Sequence, residues 1–467
     1  MSERLLLLTG HLAAPRLERL LNGFDTARID ARALNIGVKV AALMTMPIVL
    51  RRLPRPLAAD RVIFPGRAAL DADALTGAFG VPFERGPDEL ADLGRHLGLA
   101  GRKPDLSRHD VRMFAEIVDA PLYAPEALLA RARALHADGA DVIDLGCRPG
   151  TAFPGLEEAV RALRSDGLAV SVDSGDPAEL RRAARAGADF LLSLDEQTLD
   201  VREGTDAVPV LIPSAHGELD SLVRAASAAQ ERGMPCLLDP ILDPIHFGFT
   251  ASLQRYAALR DRLPDAEILM GTGNLTELTD ADSAGVTAVL LGICSELAIR
   301  NVLVVQVSPH TRRTVAEHDF ARRLMFAARA NADLPRGYGE GLLQVHDRAP
   351  FTDSADDIAA LAAATTDRNW RIATAADGIH VYNSRAHHVA LTAIDHFPAL
   401  DVANDGAHAF YLGGELARAE LAFALGKRYA QDSPLDWGRA VPREKRDAAR
   451  LAEAGHTLRA KRHADDP

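Results

Sequence analysis

The chain is 467 residues long, with 48% apolar, 25% charged and 5% aromatic residues. That length exceeds a single hydrophobic core and predicts two to four domains, while the composition excludes disorder and a coiled coil. A net charge of −12 leaves no surplus basic surface to neutralise a phosphate backbone, so no nucleic-acid partner is expected.

Leu5-Leu6-Leu7-Leu8, between Glu3-Arg4 and Gly10, is too short to span a membrane and predicts a first buried strand. Up to residue 106, apolar runs at 5–9, 38–44 and 61–64 alternate with amphipathic stretches, the pattern of a small open α/β sheet. Gly10 follows a strand, but no GxGxxG or GxxxxGK(S/T) develops. A docking or lid domain is therefore expected over 1–106 rather than a nucleotide site. The cysteines, Cys147, Cys236 and Cys294, form no CxxC pair and have no histidines at zinc-finger spacing. This predicts a reduced, cytoplasmic protein without a structural zinc.

Over 107–335 the alternation becomes regular. Eight apolar runs, at 112–118, 142–146, 169–173, 190–194, 209–213, 236–239, 268–272 and 302–307, are separated by helical stretches. Runs without period-two alternation imply strands buried on both faces, and eight such units fit a closed barrel better than an open sheet. Pro335-Arg336-Gly337-Tyr338-Gly339-Glu340-Gly341 marks a linker or loop. A third domain is expected over 336–440, with strands or short helices at 370–374, 379–382 and 390–394 and an apolar helix over 416–429 starting in the Gly413-Gly414 turn region. Residues 441–467 read as a charged helical tail. The predicted fold is α/β: a central (β/α)8 TIM barrel flanked by a small N-terminal α/β domain and a C-terminal α+β domain.

In such a barrel the chemistry sits at the C-terminal strand ends. These carry Asp119, Asp144 with Cys147-Arg148-Pro149-Gly150, Asp173, Ser193, Asp239 with Asp243, Asn274, and Gln306 with Ser308. Buried carboxylates facing one cavity call for a ligand that supplies N–H groups, or for a metal. A pterin, whose 2-amino and ring N–H groups form a two-donor edge, suits one of them in bidentate fashion. The alternative is that some of these aspartates cap the helices that follow. Cys147 reads as a small buried strand-end residue. His387-His388 project to opposite sides of any strand and make a poor metal pair.

At these residues the sequence resembles dihydropteroate synthase and its pterin-binding relatives. Gly139-Ala140-Asp141-Val142-Ile143-Asp144-Leu145-Gly146 with Arg148-Pro149-Gly150, Ser171-Val172-Asp173-Ser174, and Leu238-Asp239-Pro240 with Phe247-Gly248-Phe249-Thr250 carry the likeness. The resemblance implies that Asp144, Asp173, Ser193 and Asp239 line the pterin pocket, with Asp243 a rival for Asp239 in the repeated Asp-Pro. It further implies Mg²⁺ at Asp119 and diphosphate handling by Arg148, the two residues assigned to catalysis.

Two departures stand out. Asn274 replaces the family's strand-seven Ser-Arg-Lys run, as in pterin-dependent methyltransferases, and would join the pterin set. The strand-eight Arg-x-His is missing, with Gln306, Ser308, His310, Arg312 and Arg313 offering a displaced anion site. Val62-Ile63-Phe64-Pro65-Gly66, Gly271-Thr272-Gly273-Asn274 and Tyr411-Leu412-Gly413-Gly414-Glu415-Leu416 are similar to a divergent group in organisms that use tetrahydromethanopterin. The implied reaction joins a dihydropterin-CH2 diphosphate to an arylamine, ribofuranosylaminobenzene 5′-phosphate, releasing diphosphate. A pterin-dependent methyltransferase and a non-catalytic pterin-binding subunit are the alternatives. A homodimer or a partner enzyme would use the flanking domains, and no membrane association is expected.

Overall fold

The computed structural model describes residues 3–22, 24, 29–88, 90–98, 105–402 and 404–442. The chain divides into two compact units, one combining 1–103 with 345–436 and the other combining 104–344 with 437–442. Most of the expected N-terminal and C-terminal domains, 1–103 and 345–436, thus fall in one unit, while 104–106, 336–344 and 437–440 go with the barrel. From residue 443 on, the expected charged tail lies outside the described residues.

The first unit begins with a parallel sheet. β1 (Glu3–Thr9) pairs with β2 (Ile29–Asn35) on one side and β3 (Arg61–Phe64) on the other, and β3 pairs with β4 (Phe83–Arg85). Period-two alternation sends Leu5 and Leu7 to one face, under Leu17 and Leu21 of the helix Ala14–Asn22. Leu8, Val62 and Phe64 face the other way, toward Val49 and Leu75.

The second unit is the barrel. Its strands are β5 (Arg112–Ile117), β6 (Val142–Gly146), β7 (Ala169–Asp173), β8 (Phe190–Leu194), β9 (Val208–Leu211), β10 (Leu237–Leu238), β11 (Leu269–Gly271) and β12 (Asn301–Val305). All pair in parallel in the order β10-β9-β8-β7-β6-β5-β12-β11. A bridge between Leu238 and Ile268, with the Leu238 N–H on Glu267 O at 2.9 Å, closes the ring. β10 is shorter than the predicted 236–239 run; Pro235 and Pro240 flank it, and proline has no N–H for a ladder. Phe114, Val142, Phe190, Leu192, Val210, Leu237 and Leu269 fill the lumen, with Phe114 edge-on to Phe190 at 4.9 Å. At the N-terminal end Arg322, 2% exposed, ties strand starts together through Val111 O (2.7 Å), Gly139 O (2.9 Å) and Asp141 (2.5 Å). The glycine-rich stretch after Leu334 packs on this unit: a Cβ at Gly341 would meet the Phe320 ring at 2.6 Å.

In the first unit, β13 (Arg371–Ala375), β14 (Gly378–Tyr382) and β15 (His387–Ala390) form an antiparallel sheet. The long helix runs Gly406–Leu425, so Gly413 and Gly414 are interior rather than a turn. Each interior glycine costs a helix about 1 kcal/mol. The Asp405 side chain capping His408 N–H and the buried Leu412, Leu416, Ala419 and Ala422 offset that cost.

Candidate active site at the barrel mouth

The alternation that turns Phe114 and Val142 into the lumen places Glu116 and Asp144 there too, one layer nearer the C-terminal mouth. Register sets Glu116 opposite Asp144, Asp144 opposite Ser171, and Gly146 opposite Asp173. Asp239 follows two positions after the lumen residue Leu237. The fully buried Asp144 accepts the Ser171 hydroxyl on Oδ1 at 2.5 Å, and its Oδ2 has no partner. Burial, then the charges of Asp173 and Glu116, push its pKa well above the usual carboxylate range. Burial raises Asp173 as well. Glu116 is pushed up to about 7, by burial first and by Asp173 and Asp119 second.

Asp239 rises to about 6 because burial outweighs its two bonds, from the Tyr256 hydroxyl at 2.7 Å and the Ile241 N–H at 2.8 Å, both on Oδ1. The second bond is held by Ile241 at φ 66°, a costly backbone for a β-branched residue. Among the described residues no Lys, Arg or His is ion-paired with Glu116, Asp144, Asp173 or Asp239. The result is a group of carboxyls that bind protons readily and lack cationic partners, suited to a ligand rich in N–H donors.

Asp243 is engaged differently. Arg255 Nη2 donates to its Oδ2 at 2.7 Å, His216 Nε2 lies 3.3 Å from Oδ1, and the Ser252 hydroxyl accepts the Asp243 N–H at 3.2 Å. Gly248 makes room for it: at φ 124° it favours glycine, and a Cβ would meet Asp243 Oδ2 at 2.9 Å. Asp243 thereby organises the loop after β10. Asn274 Nδ2 donates to Leu242 O at 2.8 Å, tying the loop after β11 to that same loop. Ser193 is half-buried on β8 without a side-chain hydrogen bond among the described residues. Burial, then Glu179, pushes the Cys147 thiol up to about 12, so it is no nucleophile at neutral pH.

After β5, Asp119 takes a left-handed backbone at φ 55°, and its Oδ1 lies 3.9 Å from Arg148 Nε, with both side chains about half exposed. No three His, Cys, Asp or Glu side chains among the described residues are placed to hold a metal ion, so the expected Mg²⁺ at Asp119 gains no ligand set from them.

Most donors of the expected anion site are spent on neighbouring parts of the barrel. Glu277 accepts the Val307 N–H at 2.8 Å, the Ser308 N–H at 3.0 Å and the Thr311 hydroxyl at 2.7 Å. Burial works to raise its pKa, but these bonds outweigh it and hold it below the usual range. Gln306 Oε1 accepts the Val315 N–H at 3.2 Å, His310 Nε2 lies 3.1 Å from Thr276 O, and Arg313 pairs with Asp138 at 3.0 Å. Arg312 is exposed.

Glu116, Glu277 and the apolar rim are absent from the sequence reading. Leu122, Tyr123, Ile245, Phe247, Leu278 and Val307 are exposed on loops after β5, β10, β11 and β12, four consecutive staves of the barrel. Period two along β5 carries the signal for Glu116. A hollow of about 820 Å³ sits at the opposite end, among Arg112, Asp141, Arg164 and Asp189. There Arg164 pairs with Asp189 at 2.7 Å and Asp141 is bonded by Arg322, so these two carboxylates have cationic partners where those of the mouth do not.

The fold and site define a closed parallel α/β barrel with an acidic, desolvated mouth. A family model described as a family of unknown function (DUF6513) matches residues 3–88. An uncharacterised protein of Methanocaldococcus jannaschii is 28% identical over 395 residues, 74% of this chain and 74% of that one. The dihydropteroate synthase type-2 of Escherichia coli is 39% identical over 80 residues, 15% of this chain and 29% of that protein. Among solved structures, the dihydropteroate synthase of Thermus thermophilus in complex with 6HMPPP is 23% identical, with 48% of this chain and 95% of that one covered at a TM-score of 0.37. The Yersinia pestis enzyme with a pterine-sulfa conjugate is 18% identical, covering 49% and 95% at 0.37. No helix among the described residues is long and apolar enough to cross a membrane.

Proposed function

We propose that the mouth of the barrel binds a pterin and that the protein is a dihydropteroate synthase-like transferase. The observation that carries this reading is the cluster of Glu116, Asp144, Asp173 and Asp239, whose desolvated carboxyls all have raised pKa values and no ion-pair partner among the described residues, with one Asp144 oxygen left without any hydrogen bond. A pterin edge brings N–H donors to Asp173 and Asp239, and protonated neighbours such as Asp144 can donate to its ring acceptors. Ser193 and Asn274 border the same pocket in this reading, while Asp243 supports it from behind.

In the reaction we assign, the arylamine nitrogen attacks the pterin methylene carbon. The bond to the diphosphate oxygen breaks with its electron pair leaving on the diphosphate, and the nitrogen then loses a proton to solvent. Arg148 neutralises the leaving group, with Asp119 holding the guanidinium side chain nearby. The exposed apolar arc of loops suits the aryl body of the second substrate. The arylamine assigned is ribofuranosylaminobenzene 5′-phosphate, which places the reaction in tetrahydromethanopterin biosynthesis.

The test is fluorescence titration of a dihydropterin against the full chain and Asp173→Asn, followed by assay of diphosphate release with both substrates. Saturable binding lost in the variant, together with arylamine-dependent release, is expected. Absence of binding to the wild type overturns the reading, and binding without release reduces it to a pterin-binding subunit.

A further inference from the structure

The sheet β2-β1-β3-β4 reverses its winding at β1, from which the chain passes to β2 on one side and then crosses to β3 on the other. The helices that follow consequently cover opposite faces, Ala14–Asn22 over Leu5, Leu7 and Ile63, and Met46–Arg52 against the core of Leu8, Val62 and Phe64. A reversal of this kind opens a crevice outside the carboxyl ends of the strands on either side of it. A hollow of about 350 Å³ lies there. Loops after all four strands line it, through Leu12, Ala41, Pro65 and Pro87, and Leu361 of the helix Ala355–Ala364 adds a further wall. The family model over 3–88 spans these four strands and loops.

The lining decides the ligand class. In nucleotide sites at such crevices, free N–H groups of the first strand-to-helix turn hold a phosphate. Here three of the four N–H groups of that turn, those of His11, Leu12 and Ala14, are spent on Val38 O, Lys39 O and Gly10 O. Gly10 is so close to the next loop that a Cβ would meet Val38 O at 2.8 Å. The Arg16 guanidinium is paired with Asp353 and donates to Thr352 O at 3.1 Å. Besides Thr9, Arg67 and Asp88, what faces the hollow is chiefly aliphatic and aromatic surface: Leu7, Leu12, Ala41, Phe64, Leu90 and Leu361. Its volume is at the lower end of that of small-molecule sites.

We infer that this hollow is a binding site for a small, flat, uncharged aromatic or heteroaromatic molecule of one or two rings, separate from the barrel and independent of the reaction assigned to it. Ligand contacts with Leu361 bridge two distant stretches of chain within one unit, so occupancy stabilises that unit.

The test uses the full chain with 2-naphthol and indole as neutral probes and inorganic pyrophosphate as the anionic one, read by ligand-observed NMR and thermal denaturation. Saturable binding of a neutral probe is expected, unaffected by pyrophosphate, weakened about tenfold or more by Ala41→Phe, which fills the hollow, and retained in Asp173→Asn. Leu12→Arg serves as a second variant if Ala41→Phe fails to fold. No saturable binding of either neutral probe overturns the inference. So does competition by pyrophosphate, or loss of binding in Asp173→Asn with the hollow variants unchanged.

Discussion

Gly146 on β6 and Glu116 on β5 fit together because residue 146 has no side chain: a Cβ there would lie 2.5 Å from Glu116 Oε1. The atom it would strike is the far end of a flexible side chain, and the Ile117 carbonyl oxygen, 3.3 Å from that Cβ, has to give by only a few tenths of an ångström, so the barrel itself has little to lose. Gly146→Ala should therefore move the Glu116 carboxyl while leaving thermal stability nearly unchanged. If Glu116 helps to line the pterin pocket, affinity for a dihydropterin falls by about tenfold, the worth of one displaced hydrogen bond to a charged group. Equal affinity in the variant would remove Glu116 from the site.

Glu116 also predicts a pH dependence. Its pKa rises from an ordinary 4.5 to about 7, so the folded protein binds a proton more tightly than the unfolded chain. Folding takes up that proton between these values, and stability declines as pH rises through that window. The cost at pH 8 is about 3 kcal/mol, less any share the carboxylate recovers by moving toward water. Glu116→Gln should accordingly be more stable than wild type at pH 8 and equal to it below pH 4.5, by urea denaturation. A constant difference across pH would show that burial of the charge is not what sets its titration.

The barrel strands were legible because strands covered on both faces must be apolar throughout, and β6, β7 and β8 match their predicted runs residue for residue. The same property hid Glu116, a single carboxyl inside an apolar run and easily passed over beside Asp119 at its end. Glu277 was illegible for another reason: it occupies backbone donors some thirty residues away, at Val307 and Ser308, a relation that only the barrel's closure creates. Gly413 and Gly414 misled because a turn signal is local, whereas burial of Leu412 and Leu416 on either side is not.

Tyr256 and Asp239 make a further test. The phenol is wholly buried and donates to Oδ1 at 2.7 Å, opposing the rise in the Asp239 pKa. Tyr256→Phe preserves the ring and removes one charge-assisted bond, which costs about 1–3 kcal/mol at pH 7.5. At pH 5 Asp239, with its pKa near 6, is protonated and the bond it loses is a neutral one. The destabilisation should shrink there, and dihydropterin affinity at neutral pH should fall as Asp239 becomes harder to ionise. Destabilisation that is independent of pH would assign Tyr256 to packing alone.

The repeated Asp-Pro of 239–240 and 243–244 leaves two registers open in sequence, and the partners of the two carboxylates give them opposite predicted behaviour. Asp243 sits against a buried guanidinium, Arg255 Nη2 at 2.7 Å. Asp243→Asn leaves that cation buried without its counter-charge and should destabilise the barrel by about 3 kcal/mol. Asp239 has no cation partner, and burial disfavours its charge. Asp239→Asn removes that penalty and should leave stability at pH 8 unchanged or higher, while dihydropterin affinity drops by about tenfold or more as one acceptor oxygen becomes a donor. Denaturation midpoints and pterin titrations on the two variants settle the register, and loss of affinity in Asp243→Asn with Asp239→Asn unaffected would exchange the two assignments.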